Sequence, residues 1–339
     1  MKKIVFIVNP VSGTANKRSV IRQIDRLIDK ERFDYSVVTT EYAGHATELA
    51  RAAANEGVDI VCAIGGDGTV NETARALVHT NTALAIIPCG SGNGLARHLH
   101  IPMDAIRAIK LINDVEPLSI DYGLINLHPF FCTCGVGFDA FISQKFAEAG
   151  KRGPATYVEN ILKTALTYSP ETYELDVLDE NEERATYKAF MIACANASQY
   201  GNNAYIAPQA SVRDGVMDVT IVEPFTVLEA PQLAVLLFNG AIDESSRIKT
   251  FRCKHLVIRR SKPGVIHYDG DPVDSGETVD VSIVSKGLLC ICPTDEGVMD
   301  VGESARNSIV EYSNNMYLRS EDFIENNPIR KKTLLRRHK

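Results

Sequence analysis

With 339 residues, 45% hydrophobic and 23% charged, the chain has ordinary globular composition, which excludes a disordered or low-complexity protein, and its length suits about two domains. The net charge of −7 argues against non-specific nucleic-acid binding, because phosphate backbones are held mainly by Lys and Arg. Eight cysteines are scattered through the chain with no leader that would suggest secretion, so a reduced, cytoplasmic home is expected.

The first apolar run, Ile4–Val8, is too short for a signal-peptide core or a membrane span and reads as a strand. Further strands are predicted at Tyr35–Thr39, Ile60–Ile64 and Ala83–Pro88. Between them lie stretches with apolar 3–4 spacing, such as Val20, Ile21, Ile24, Leu27 and Ile28, then Ala46, Leu49, Ala50 and Ala53. This alternation predicts a doubly wound, Rossmann-like α/β domain over residues 1–122.

After Asp121-Tyr122-Gly123 the texture changes to strand-like segments at Phe130–Gly135, Tyr173–Leu178, Ala189–Ala195, Met217–Val222, Leu256–Arg260, Val279–Val284 and Leu288–Cys292. Helices are predicted near Ala140–Ala149 and Ala155–Leu166. A second, mainly antiparallel β-sandwich domain is expected over residues 123–292. The apolar stretch from Leu233 to Ile242 is too short to cross a bilayer and contains Asn239 and Gly240. Residues 293–339 form an extension expected to pack on the first domain. It ends in Arg330, Lys331, Lys332, Arg336, Arg337 and Lys339, readable as a solvated terminus or as a patch attracted to anionic lipid.

Three glycine-rich loops follow predicted strands. Asn9-Pro10-Val11-Ser12-Gly13-Thr14 can turn tightly and aim amides outward, although a plain structural turn explains it equally well. Gly65-Gly66-Asp67-Gly68-Thr69-Val70-Asn71-Glu72 carries more information: it joins a buried strand to a helix, where strand carboxyl ends and a helix amino terminus make an anion pocket. A helix cap alone needs one good residue, not three glycines. Asp67 in that pocket makes sense if Mg²⁺, a ribose or water lies between it and the phosphates. The third loop, Pro88-Cys89-Gly90-Ser91-Gly92-Asn93-Gly94-Leu95, nearly spells a dinucleotide fingerprint, but Leu95 occupies the third small position and no acid ends a next strand.

Together these loops, in this order, resemble the diacylglycerol kinase catalytic-domain superfamily, which includes bacterial lipid kinases and sphingosine kinases. Gly137-Phe138-Asp139-Ala140, Asp214-Gly215-Val216-Met217-Asp218 and Tyr268-Asp269-Gly270-Asp271-Pro272 fall where that family's later motifs are expected, and the resemblance covers roughly residues 1–295. It implies an NAD-kinase-like first domain and an ATP- and Mg²⁺-dependent kinase acting on a lipid hydroxyl at a membrane surface, without a transmembrane segment. A homodimer is left open. Nucleotide contacts carry over to Asn9, Thr40, Gly65, Gly66, Asp67, Gly68, Thr69, Asn71, Glu72 and Ser91. Asp67, Asp121 and Asp271 take the catalytic positions, and Asp139 and Asp269 are candidate substrate or metal-shell contacts. A structural metal would sit on the Asp214 side chain and the carbonyls of Ser211 and Val216.

Two departures stand out. Gly94 occupies the place of a second acid, and Asp271 that of the usual Glu base, which shortens its reach by one methylene. The Cys132-Thr133-Cys134 and Cys290-Ile291-Cys292 pairs lack nearby histidines and read as core packing, not zinc ligands. His45, His98 and His267 belong to no nucleophile motif, so a hydrolase triad has no support. The rival readings are an NAD kinase, which shares the Gly-Gly-Asp-Gly-Thr loop, and a nucleotide- or lipid-binding pseudokinase.

Overall fold

The computed structural model describes residues 1–13, 16–149, 168–179 and 183–294; the predicted helix Ala155–Leu166 and the basic tail at 328–339 lie outside them. In chain order the first part runs β1 (Lys2–Val8), α1 (Lys17–Leu27), β2 (Phe33–Thr39), α2 (His45–Asn55), β3 (Ile60–Gly65), α3 (Asp67–Leu77), β4 (Ala83–Pro88), α4 (Gly94–His98) and α5 (Ala105–Asp114). Asn16 starts α1 by accepting the amides of Arg18 and Ser19 on its side chain, and Asp104 does the same for α5 with Arg107. Every residue of β3 and β4 is buried, which is why both read as unbroken apolar runs and not as alternating ones.

These strands pair in parallel in the order β2-β1-β3-β4. The chain leaves β1 in one direction and β3 in the other, so right-handed crossovers place α1 on one face and α2 and α3 on the other. Accordingly α1 packs with α5, and α2 with α3. The reversal makes a switch point at the carboxyl ends of β1 and β3, where the first two glycine-rich loops emerge.

The second part comprises β5 (Leu118–Ile125), β6 (His128–Phe130), β7 (Thr133–Gly137), α6 (Phe138–Ala149), β8 (Glu171–Val177), β9 (Glu183–Ala189), β10 (Met191–Ala195), β11 (Met217–Val222), α7 (Ala230–Asn239), β12 (Ile248–Cys253), β13 (His255–Arg260), β14 (Gly264–Tyr268), β15 (Asp271–Ser275) and β16 (Thr278–Cys290). One sheet of this part, β12-β11-β10-β7-β14-β15, is antiparallel throughout. The other, β16-β13-β8-β9 with β5 and β6, continues the parallel sheet, because Cys290 of β16 pairs with Leu84 of β4. Phe130, Cys134, Tyr173, Cys194, Leu256 and Val281 belong to the apolar core of this second part.

Several predicted segments are redrawn. The strand expected at Phe130–Gly135 is split into β6 and β7, because the amides of Phe131, Cys132 and Thr133 turn to the Asp269 carboxylate. The strands expected at Val279–Val284 and Leu288–Cys292 are one strand, β16, whose register shifts between Val284 and Leu288 at a bulge containing Lys286 at φ 55°. The apolar run at Leu233–Ile242 forms α7, which Gly240 closes at φ 69°. All eight cysteines are buried and free, with Cys134 facing Cys194 across β7 and β10.

Candidate active site

The three glycine-rich loops meet above the switch point. Asn9 donates its side-chain amide to Thr69 Oγ1 at 3.0 Å and accepts the Val11 amide at 3.1 Å, which fastens the first loop to the start of α3. Gly13 lies at φ 56°, and a Cβ there would collide with the Cys89 carbonyl. Gly66 and Gly90 also bring their backbones close: a Cβ on Gly90 would stand 2.5 Å from the Gly66 Cα. These glycines therefore serve loop-to-loop packing. Gly68 differs, since nothing lies within 4 Å of where its side chain would be.

Asp67 crosses from the second loop to the third. Its Oδ2 accepts the Asn93 amide at 2.8 Å and its Oδ1 the Gly94 amide at 2.7 Å. Asn93 in turn bonds Gly90 through both ends of its side chain. Glu72 points the other way. Its carboxylate accepts the amides of Gly44 and Ala46 at 2.9 and 3.2 Å, closing the amino terminus of α2. Thr40 is buried beside β1, donating its amide to the Val8 carbonyl, and Asn71 is buried within α3. Gly65 leaves the space that the Thr69 side chain fills, and Ser91 is exposed.

Asp121 is buried in the middle of β5. Its two oxygens accept the amides of Gly215 at 2.8 Å and Lys286 at 2.7 Å, which pins the 211–216 loop and the β16 bulge to each other. Asn196, also buried, donates to the carbonyls of Asp121 and Phe131. Here Asp121 is engaged as a strut between loops.

The turn joining β14 to β15 carries the remaining acids. Asp269, at φ 51°, accepts three amides: Phe131 at 2.8 Å, Cys132 at 2.7 Å and Thr133 at 3.1 Å. Burial raises its pKa to about 6, against the pull of those amides and of Arg75. His267 is buried directly beneath. The Gly270 amide donates to its Nδ1 at 3.4 Å, which leaves the proton on Nε2 to donate to Asp139 Oδ2 at 3.0 Å. Tyr200 also donates to Asp139 Oδ2, at 3.4 Å, and Asp139 Oδ1 accepts the Ala140 amide at the start of α6. Asp271 stands at the rim, paired with Arg75 Nη2 of α3 at 3.0 Å. Asp67, Asp269 and Asp271 thus flank α3, while Asp121 and Asp214 belong to a separate loop junction.

Asp214 is exposed and pairs with Arg252, whose Nε also lies 3.4 Å from Asp218. Burial pushes the Asp218 carboxyl up from its usual value and Arg252 pulls it back. The charge of this loop is already answered by a guanidinium, so Asp214, Ser211 and Val216 do not fit a resident divalent cation. Among the described residues no group of three or more His, Cys, Asp or Glu side chains could hold a metal. The glycine-loop junction does fit nucleotide phosphates: α3 presents its amino terminus, with Gly66 as the N-cap and open space at Gly68. Magnesium there would arrive on the nucleotide, as this ion usually does.

Arg75, Asn93, Asn196 and the support given by His267 were not legible as site features. His98, assigned to no motif, lies 3.0 Å from Ser198 Oγ and accepts the Ser198 amide. Its partner stands 100 residues away in sequence, so no local pattern signals it.

An α/β domain with glycine-rich loops at its switch point is thus joined to a β-sandwich that brings acids to the same helix. Residues 3–125 match the diacylglycerol kinase catalytic domain, and residues 132–289 the YegS C-terminal NAD kinase beta sandwich-like domain. A probable YegS-like lipid kinase of Chromohalobacter salexigens is 32% identical over 237 residues, covering 68% of this chain and 75% of the relative. A diacylglycerol kinase of Bacillus subtilis is 25% identical over 276 residues, covering 80% of this chain and 90% of its own. The chain belongs to the diacylglycerol kinase catalytic-domain family. A solved diacylglycerol kinase of Bacillus anthracis shares the fold at TM-score 0.68 and 20% identity, covering 86% of this chain and 97% of its own. An NAD kinase of Archaeoglobus fulgidus in complex with ATP shares it at TM-score 0.50 and 13% identity, covering 90% of this chain and 99% of its own.

Proposed function

We propose that the protein transfers the γ-phosphoryl group of ATP to the hydroxyl of a lipid of the diacylglycerol or sphingoid type, at a membrane surface. The observation that carries this reading is the convergence on one helix, α3, of the glycine-rich loop at its start and the Asp269-Gly270-Asp271 turn near its end. Magnesium nucleotide, when bound, supplies the phosphoryl group and its charge neutralisation. The chain contributes position. Amides around Gly66–Thr69 cradle phosphate, and Asn9 and Asp67 hold the three loops in one arrangement.

Phosphoryl transfer has a loose transition state, so the acceptor hydroxyl needs alignment more than early deprotonation. The hydroxyl oxygen forms the new P–O bond as the bond to the leaving ADP oxygen breaks, and the Asp271 carboxylate takes the hydroxyl proton. Asp139, held by His267 and Tyr200, and Asp269 line the acceptor side of the turn.

The test is transfer of radiolabel from ATP to a panel of diacylglycerol, monoacylglycerol, sphingoid base and polyprenyl alcohol in mixed micelles, with NAD as a parallel acceptor. Label in a lipid product is expected. Label in NAD alone would overturn the lipid assignment, and ATP binding without transfer to any acceptor would make the protein a pseudokinase.

A further inference from the structure

Among the described residues, the Asp271 carboxylate has a single partner. Asp271 opens β15 at the edge of the antiparallel sheet, its side chain is 54% exposed, and among the described residues its carboxylate makes no hydrogen bond except the one from Arg75. A short carboxylate at a strand edge would otherwise sample several rotamers. Arg75, in contrast, is fixed. Its side chain is 20% exposed, and its guanidinium carbon stands 4.6 Å from the centroid of the Tyr268 ring. His128 stacks on the same ring at 4.8 Å with 8° between the planes. Among the described residues the buried Arg75 Nε finds no hydrogen-bond partner. A planar guanidinium held over an aromatic ring offers its free edge in one direction, which a lysine cannot do.

Arg75 also lies eight residues after Asp67 on the same helix, a rigid span of about 12 Å. Asp67 fastens the start of that helix to the third glycine-rich loop. One helix therefore joins the clasp on the loops at one end to the partner of Asp271 at the other.

We propose that Arg75 is the positioning residue that sets the Asp271 carboxylate toward the acceptor and couples it, through α3, to the nucleotide loops. This rests on the lipid-kinase reading given above. Arg75 is largely buried against Tyr268, so a purely structural Arg75 would show in the melting temperature through lost packing, but in the kcat of the folded protein it would be nearly silent when replaced. A positioning Arg75 would not be, because small misplacements of a catalytic group cost large factors in rate.

The experiment compares Arg75→Gln, Arg75→Lys, Asp271→Asn and the double variant Arg75→Gln/Asp271→Asn, using whichever lipid of the panel the wild type phosphorylates. Arg75→Gln should lower the kcat of the folded protein by about tenfold or more, with ATP affinity nearly unchanged and with partial recovery in Arg75→Lys. In the Asp271→Asn background the same replacement should have no further effect. An equal loss in both backgrounds, or a loss expressed as weaker ATP binding, would overturn the proposal. Hydrogen exchange gives a readout that survives if no lipid accepts phosphate. Amides of residues 268–275 should exchange faster in Arg75→Gln while those of β3 keep their wild-type rates, and unchanged exchange at 268–275 would equally sink the coupling.

Discussion

The Asp67 carboxylate accepts the Gly94 amide at 2.7 Å and the Asn93 amide at 2.8 Å, so the central acid of the Gly-Gly-Asp-Gly-Thr loop is also the clasp that holds the third loop. Charge-assisted bonds of this kind are stronger than neutral ones. Asp67→Asn turns an NH₂ group toward a backbone N–H and removes the charge. Stability should fall by about 1–3 kcal/mol, and phosphoryl transfer by about a hundredfold or more. Thermal unfolding and turnover measured on the same preparation check both.

Gly94, which the family resemblance sets at the place of a second acid, leaves little room for a side chain. A Cβ there would lie 3.1 Å from the Tyr200 carbonyl oxygen and 3.3 Å from the Gly201 nitrogen. Gly94→Asp would crowd that backbone and bring a second carboxylate close to Asp67. A loss of about 1–3 kcal/mol is expected in denaturant unfolding, with no gain in activity.

At Asp271 the length of the side chain and its charge separate cleanly. Asp271→Asn should retain ATP affinity and lose transfer by about a hundredfold or more, while Asp271→Glu should keep activity within about tenfold. Wild-type turnover in Asp271→Asn would remove Asp271 as the proton acceptor.

Because Arg252 pairs with Asp214 and Asp218, thermal stability is expected not to depend on divalent cations. Adding EDTA to the nucleotide-free protein should shift the melting temperature by less than about 2 °C. Replacing Arg252 by Gln leaves two carboxylates without their cation and should both lower the melting temperature and make it rise with added Mg²⁺.

Burial lowers the pKa of His98 to about 4, with His100 and Arg213 adding to the effect. The folded protein therefore resists a proton that the unfolded chain, with an ordinary pKa near 6.5, accepts. The stabilising contribution is present above pH about 6.5 and is lost as pH falls toward 4, amounting to at most about 3 kcal/mol. His98→Asn should flatten that part of the stability–pH curve, measured by urea unfolding at several pH values.

Much of the fold was legible because its signal is local. The buried runs of β3 and β4 and the apolar 3–4 spacing of α1 carry the parallel half. The β-sandwich half was harder. β5, β9, β12, β14 and β15 went unpredicted: β5 spans the expected domain boundary, β12, β14 and β15 are five or six residues long, and β9, β12 and β15 expose polar side chains at a sheet edge, where a buried run is weak. The break between β6 and β7 was hidden because its cause, the Asp269 carboxylate, lies about 137 residues further on.

By itself the sequence determined where ligand loops follow strands, since a strand, three glycines and a helix start are contiguous, and with that the family. Only the tertiary structure decided which acids are already engaged by backbone amides. Asp67, Asp121, Glu72 and Asp269 all spend both oxygens on backbone amides, whereas Asp271 reaches the surface and meets a guanidinium. A carboxylate's neighbours are set by packing between segments far apart in the chain, as the 94 and 165 residues separating Asp121 from its two amide donors illustrate. No local pattern carries that information.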